Sequence, residues 1–319
     1  MWYIFIHSLS CIISYTHTHT HTNPTTNQVC PYHKWKFDTK GQCKDIPYCP
    51  SSKKMVGKQR VNTRSYHVRE RLGMIFVWIH VEDAAPSFEG PKLCDEIDAP
   101  GSGFYQVDVV NFEDFEMHVM EPSQNTADWY HFLTVHSWLP VWMCGMQFLK
   151  ADHEIKAHYG GGVTNSEEAR SMPPENLMIR ERVVGLKLFG KIPIPVMFAQ
   201  ALETEVHMNG PTVIMFKVEN ALLGSFRALM TLTPQEPFRQ HMQIRAWANG
   251  LWPRPIARYL LSLIMQTVEQ DRQVWEHKLH IAPRNLVAGD GPFAGFGRWI
   301  SHFYTKASWD KAGEMSMSW

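Results

Sequence analysis

Long apolar runs are missing from this 319-residue chain: none reaches the roughly 20 consecutive apolar residues of a membrane-spanning helix. Charge of one sign is missing too, since Lys plus Arg and Asp plus Glu both number 31. A chain that grips nucleic acid by neutralising phosphates shows a basic excess or stripe, so nucleic acid is not an expected partner. Six cysteines are too few for a disulfide-built scaffold. No Gly-x-Gly-x-x-Gly follows a strand pattern, so a dinucleotide-binding fold is not expected. What remains is a chain with 44% hydrophobic and 12% aromatic residues, which excludes disorder and is long enough for two domains with buried cores.

Residues 1–28 differ from the rest. Trp2 to Tyr15 is mostly apolar but has neither the basic flank nor the small-residue cleavage site of a signal peptide. Thr and His then alternate strictly from Thr16 to Thr22, a low-complexity pattern that builds no core and fixes no metal geometry. The stretch reads as a disordered tail or as the product of a mistaken start.

Residues 29–83 form the first expected domain. Cys30-Pro31-Tyr32-His33 offers a thiolate and an imidazole from one tight loop, followed by Trp35 and Phe37, which suit a hairpin beneath it. A Rieske [2Fe-2S] centre takes two Cys on one iron and two His on the other. A second loop carrying Cys-x-His should lie upstream, but the residue two beyond Cys11 is Ile13. His17, His19 and His21 are weak substitutes, and the expectation is that the chain as written has lost its first loop. Cys43 and Cys49 read as structural or free thiols. Alternation from Tyr66 to Arg71 and the apolar run from Gly73 to Ile79 predict a closing hairpin, and Ala84-Ala85-Pro86 marks a boundary.

Residues 84–319 form the second. Between Glu121 and His136 the chain sets out Asn125, Asp128, His131 and His136. Pro122 suits the first turn of a helix, and on a continuous helix Asn125, Asp128 and His131 would share a face. His136 would fall about 140° round from His131 on an ideal helix, so the two reach one metal only if the helix ends or bulges between them. Two imidazoles and one carboxylate with open positions form the facial triad of mononuclear non-haem iron oxygenases. Asp271 is the candidate carboxylate. It continues the apolar stripe Ile256, Leu260, Leu263, Ile264, Thr267 and Val268 of a long helix. A carboxylate on an apolar face needs a metal or a cation, and a salt bridge to Arg258 or Arg272 is the competing reading. His118, His153, His158, His207 and His241 read as ordinary. Alternating strands, including 177–184, 213–218, 228–233 and 241–248, followed by one long helix predict an α+β helix-grip sheet around an apolar cavity. Thr233 to Pro237 is expected as a turn. Met143, Met146, Met197, Met208, Met215 and Met230 fit either the cavity wall or the core.

With these residues in view, the sequence resembles the Rieske non-haem iron oxygenases, and within them the cholesterol 7-desaturase group. The likeness is carried by Cys30 to Trp35, Glu121 to His136, Glu269-Gln270-Asp271 with Trp275 and Lys278, Leu188 to Lys191, Thr231 to Pro237, and Arg298-Trp299 with Phe303-Tyr304. It runs collinearly from about residue 29 to 305. The resemblance implies a small all-β Rieske domain, here without its N-terminal part, ahead of a helix-grip catalytic domain. Cys30 and His33 would bind the cluster; His131, His136 and Asp271 would bind mononuclear Fe(II). Asp128, with Asn125 beside it in the catalytic set, would bridge the cluster of one subunit to the iron of the next in a homotrimer. It further implies a sterol substrate, O2, NAD(P)H through a separate reductase, and a membrane anchor at the endoplasmic reticulum that this chain does not carry.

Overall fold

The computed structural model describes residues 2–4, 28–49, 55–56, 58–139, 142–143, 146–163, 166–194, 203–220, 223–236, 238–279, 286–287 and 289–308. The chain divides into two compact units, Met1–Gly90 and Pro91–Trp319. The break follows the Ala84-Ala85-Pro86 breakers by a few residues.

The first unit contains two small antiparallel sheets among its described residues. One joins β1 (Trp2–Ile4), β6 (Met74–Trp78) and β5 (Val68–Arg71); the other joins β2 (Gln28–Val29), β3 (Lys36–Phe37) and β4 (Cys43–Asp45). The predicted hairpin is β5–β6, turned by Leu72 and Gly73, both at positive φ, as a tight two-residue turn requires. Of the opening stretch, Trp2–Ile4 pairs with β6, and the Thr-His tract lies outside the described residues. Phe37, Cys43, Ile46 and Val61 make a small core, with Trp35 and Cys49 packed against it. Cys43 has no exposed surface and its thiol pKa is raised by that burial, so it is a core residue. Gly41 is required at its place: φ is +74°, and a Cβ would stand 2.4 Å from the Thr63 carbonyl oxygen.

The second unit is built on one eight-stranded antiparallel sheet. Its strands are β7 (Tyr105–Phe115), β10 (Leu149–Tyr159), β11 (Asn176–Leu188), β12 (Ile192–Ile194), β13 (Glu203–Asn209), β14 (Val213–Asn220), β15 (Gly224–Glu236) and β16 (Arg239–Ala248). The short pair β8 (Trp142–Met143) and β9 (Met146–Gln147) stands apart. The order across the sheet is β10-β11-β13-β14-β15-β16-β7, with β12 added to β11. The meander is sequential until the end, where β7 returns beside β16. The expected strands are all present but longer than the alternation showed. From Phe226 to Leu232 on β15 every residue is buried, so alternation is lost there. The outer face at that point is covered: Arg227 and Lys217 both bond the carboxylate of Glu96, on the short helix α1 (Asp95–Asp98). The turn expected at Thr233–Pro237 is shorter than that, because β15 runs on through Glu236, with an irregularity between Pro234 and Glu236.

The segment after β7 folds into two short helices, α2 (Glu121–Gln124) and α3 (Trp129–Thr134). Helix α4 (Glu167–Ser171) follows β10. The long helix α5 (Arg254–Trp275) has 22 residues and buries Ala257, Leu261, Val268, Asp271 and Trp275. Ile256, expected on the buried stripe, is 48% exposed, because the packed face begins one residue later, at Ala257. Helix α6 (Phe293–Ser301) closes the unit with Trp299 fully buried. Among the described residues no helix is long and apolar enough to cross a membrane.

Candidate metal centre

The single helix expected over Asn125, Asp128 and His131 is instead two. The chain leaves helical geometry at Asp128 (φ −96°, ψ 86°), where a carboxylate oxygen accepts the backbone N–H of His131 at 3.3 Å. Asp competes with the helix for backbone donors in this way and so serves as an N-cap. Gly291, at φ +118°, packs against this break: a Cβ there would stand 2.0 Å from the Ala127 carbonyl oxygen.

The restart positions the two histidines. His131 lies in the first turn of α3, its Nδ1 against the backbone carbonyl of Asp128, which leaves Nε2 as the outward ring nitrogen. Helix α3 ends at Thr134, and the His136 N–H bonds the His131 carbonyl at 3.3 Å. That i→i+5 closure widens the turn and carries His136 round to the side of His131. The rings stand 5.1 Å apart at 82°. Asp271 arrives from α5, with its Oδ1 3.0 Å from Nε2 of His136. One ligand atom from each of His131, His136 and Asp271 lies within 4.8 Å of the others. The competing cations are engaged elsewhere, Arg258 with Asp108 and Arg272 with Glu276.

The electrostatics suit a divalent cation. Burial holds the His131 pKa below its ordinary value, against the pull of the Asp271 charge. Burial also opposes charge on His136, but the hydrogen bond and charge of Asp271 outweigh it and raise its pKa. A metal would take the place of the proton that a His136–Asp271 hydrogen bond needs. Two imidazoles and a carboxylate leave coordination positions open, the donor set of a mononuclear iron site, and the residues present fit such an ion.

Around the triad, Gln270 Oε1 lies 3.1 Å from Nδ1 of His136, so adjacent residues of α5 grip both nitrogens of one ring. Asn125 accepts the indole N–H of Trp275 at 3.3 Å, and Lys278 donates to buried Glu121 and to Gln124 at 2.5 and 3.1 Å. These three contacts tie the α2–α3 segment to the end of α5. Burial of Tyr159 pushes its phenol pKa up to about 12, against the opposing effect of Thr126.

The triad opens into a cavity of about 260 Å³, near the lower limit for a small-molecule site. Sheet residues Ile179, Val183, Val206, Met208, Ile214, Phe216 and Met230 form one wall, and Leu263, Ile264, Thr267 and Val268 of α5 the other. Met208 and Met230 are therefore cavity residues, whereas Met215 is fully buried in the core. Met197 and the side chains of Met143 and Met146 lie outside the described residues. His153, read as ordinary, lines the cavity as well.

In the first unit, Cys30 and His33 face a separate recess shared with Trp35, Phe37, Arg60 and Asn62. Cys30 closes the loop through two backbone hydrogen bonds, its N–H donating to the Trp35 carbonyl and its carbonyl accepting from the Lys34 N–H, and Lys34 adopts φ 61°. Trp35 donates its indole N–H to Tyr48 at 2.8 Å, bracing the hairpin. The described residues supply one Cys and one His, half the ligands of a Rieske cluster. Cys11, the one cysteine upstream of Cys30, is outside them.

The family model described as the 3-ketosteroid 9alpha-hydroxylase C-terminal domain matches residues 77–304, and the Rieske [2Fe-2S] domain model matches residues 14–66. The chain belongs to the family of the first model, within the Rieske oxygenases. The cholesterol 7-desaturases of Caenorhabditis elegans and Drosophila melanogaster are 25% and 26% identical to it over 88% of the chain. It spans 62% and 61% of their lengths. The oxygenase component of a 3-ketosteroid-9-alpha-monooxygenase from Mycolicibacterium smegmatis is 24% identical over 86% of the chain and 66% of its own length. These relatives are oxidoreductases by name. Dicamba monooxygenase shares the fold, with a TM-score of 0.56 at 18% identity over 87% of this chain and 79% of its own.

Proposed function

We propose that this chain is the oxygenase component of a sterol 7-desaturase, which converts cholesterol to 7-dehydrocholesterol with O2 and with electrons passed from NAD(P)H by a separate reductase. The observation that carries the proposal is a three-donor metal site, His131, His136 and Asp271, set in the wall of an otherwise apolar cavity. In balance, the substrate gives up two hydrogens from C7 and C8, two electrons and two protons are supplied, and O2 becomes two waters. His131, His136 and Asp271 would hold iron, whose chemistry there would be to activate O2, the oxidant that takes up the hydrogens. The chain's own part is positional. The apolar walls exclude water and orient the ring system, so that effective concentration replaces chance encounter. Gln270 and the Asp128 carbonyl fix the imidazole tautomers, leaving both Nε2 atoms for the metal.

Cys30 and His33 would hold one half of the cluster. Asp128, at the head of α3, is the proposed link between the cluster of one subunit and the iron of its neighbour in a homotrimer, and Asn125 keeps that segment tied to α5. Attachment to the endoplasmic reticulum membrane belongs to the same proposal.

The half ligand set favours a second reading, a sterol-binding protein that carries no current. A third is hydroxylation of another hydrophobe, as the 3-ketosteroid monooxygenase relatives suggest. The test supplies the chain with a completed upstream Cys-x-His loop, a reductase, NADH and labelled cholesterol. Formation of the 7,8-diene supports the desaturase; a hydroxylated sterol supports the third reading; tight sterol binding without turnover supports the second. For the 319-residue chain itself, one iron and fewer than two acid-labile sulfides are expected per molecule.

A further inference from the structure

His153 lines the same cavity as the triad but takes no part in it. It sits on β10 at a bulge. Asp152 is opposite Gly185 and His153 opposite Val183, so Val184 is skipped, and bulges re-aim the side chains beside them. The His153 side chain is 2% exposed, and its Nδ1 lies 2.7 Å from Oε1 of Glu181, another cavity residue. Its Nε2 is buried and has no hydrogen-bond partner. The Phe132 ring lies 5.7 Å from that of His136 and 6.2 Å from that of His153, so the imidazole stands one aromatic ring removed from the metal donors.

A buried polar atom without a partner is costly and calls for an explanation. Here the chemistry of the pair suggests one. The Glu181 carboxylate only accepts, so it fixes a proton on Nδ1, and an imidazole carrying that one proton has a lone pair on Nε2. In an apolar cavity, such an acceptor selects a ligand that brings an O–H. A ketone brings another acceptor, and a hydrocarbon brings nothing.

We propose that His153 Nε2 accepts a hydrogen bond from the hydroxyl of an apolar alcohol bound in the cavity, with Glu181 positioning the ring, and that this contact makes the site prefer an alcohol to the corresponding ketone. The proposal rests on the sterol reading given above and adds to it the choice between hydroxysteroid and ketosteroid.

The test measures equilibrium binding of three steroids that differ only at C3: cholesterol, cholest-5-en-3-one and cholest-5-ene. Quenching of tryptophan fluorescence in the full chain gives the readout. The wild-type protein is expected to bind cholesterol about ten- to a hundredfold tighter than the other two, the range for pairing rather than stranding a buried polar group. His153→Phe should bring the three affinities together by removing cholesterol's advantage over the other two. Glu181→Leu frees the ring to protonate at either nitrogen. It should narrow the alcohol-over-ketone ratio while the alcohol still exceeds the hydrocarbon, a pattern that a merely structural role would not give. Equal binding of all three to the wild-type protein overturns the proposal and leaves the sterol reading standing. Binding of none overturns both. The wild-type comparison needs no variant to fold.

Discussion

Gln270 offers the sharpest test of the metal centre, because it touches the donor set without belonging to it. Its side-chain oxygen lies 3.1 Å from Nδ1 of His136, while Oδ1 of Asp271 lies 3.0 Å from Nε2 of the same ring. The amide oxygen can only accept, so the contact places the ring proton on Nδ1 and leaves Nε2 for the metal. Without it the ring loses one of its two anchors, and the neutral tautomer with Nε2 blocked becomes accessible. Removing such an outer partner lowers metal affinity by about 10- to 100-fold, or roughly 1.4–2.7 kcal/mol. Gln270→Leu is therefore expected to bind Fe(II) or Co(II) that much more weakly in an anaerobic calorimetric titration, with the fold intact by circular dichroism. Gln270→Glu supplies a stronger acceptor and should bind the metal at least as tightly as the wild-type protein. An affinity for Gln270→Leu within about twofold of wild type would refute the argument, since the His136 orientation would then not depend on the contact.

Asp271→Ala removes one donor and the partner of His136 together, and should abolish stoichiometric metal binding, read by metal analysis of the folded protein. Asp128→Ala removes the cap on the His131 N–H and should cost about 1 kcal/mol of stability, seen as a lower urea midpoint, while Asp128→Ser retains most of it. Gly291→Ala forces a Cβ against the Ala127 carbonyl at a positive φ, and should lower both thermal stability and metal affinity. Burial pushes the Glu96 pKa up, but the Arg227 hydrogen bond and the nearby Lys217 charge outweigh it, so the folded value lies below the ordinary one. Its stabilisation is then present above the usual carboxylate range and lost as pH falls through the folded value. Glu96→Gln should lower the urea midpoint at pH 7 and flatten its decline below about pH 4.5.

The parts of this protein that were legible in its sequence are those in which chemistry is local. Cys30 and His33 share one loop, and the β5–β6 hairpin announces itself by alternation up to Arg71 and an apolar run from Gly73. Asp271 was legible for a different reason: an acid on an apolar helical stripe has to be compensated, and only the identity of its partner was open. Folding chose His136 because Arg258 and Arg272 each have an acid of their own, Asp108 and Glu276. Spacing misled where a side chain overrode the backbone. Asp128 reads as the middle of a helical face, yet its carboxylate takes the His131 N–H and starts a new helix there. Burial also blurred the strand pattern, since α1 covers the outer face of the sheet at Arg227 and leaves β15 without a polar side over Phe226–Leu232.

His153 shows why a grouping rule finds ligands and misses binding contacts. Metal donors must converge within a few ångströms, so His131 and His136 come close together on the chain, joined by a widened turn. A polar contact for a ligand needs only one unpaired atom facing the space, and its partner Glu181 is 28 residues away on the next strand. No one-dimensional pattern brings those two together; the pairing of β10 with β11 does. The bulge that skips Val184 does not follow from strand alternation either. The informative signal is three-dimensional: an imidazole whose two nitrogens differ, one satisfied by a carboxylate and one with nothing to bond. Where a fold has gone to the expense of burying such a nitrogen beside a cavity, the missing partner should be sought in the ligand, and in this cavity that ligand is one with a hydroxyl to donate.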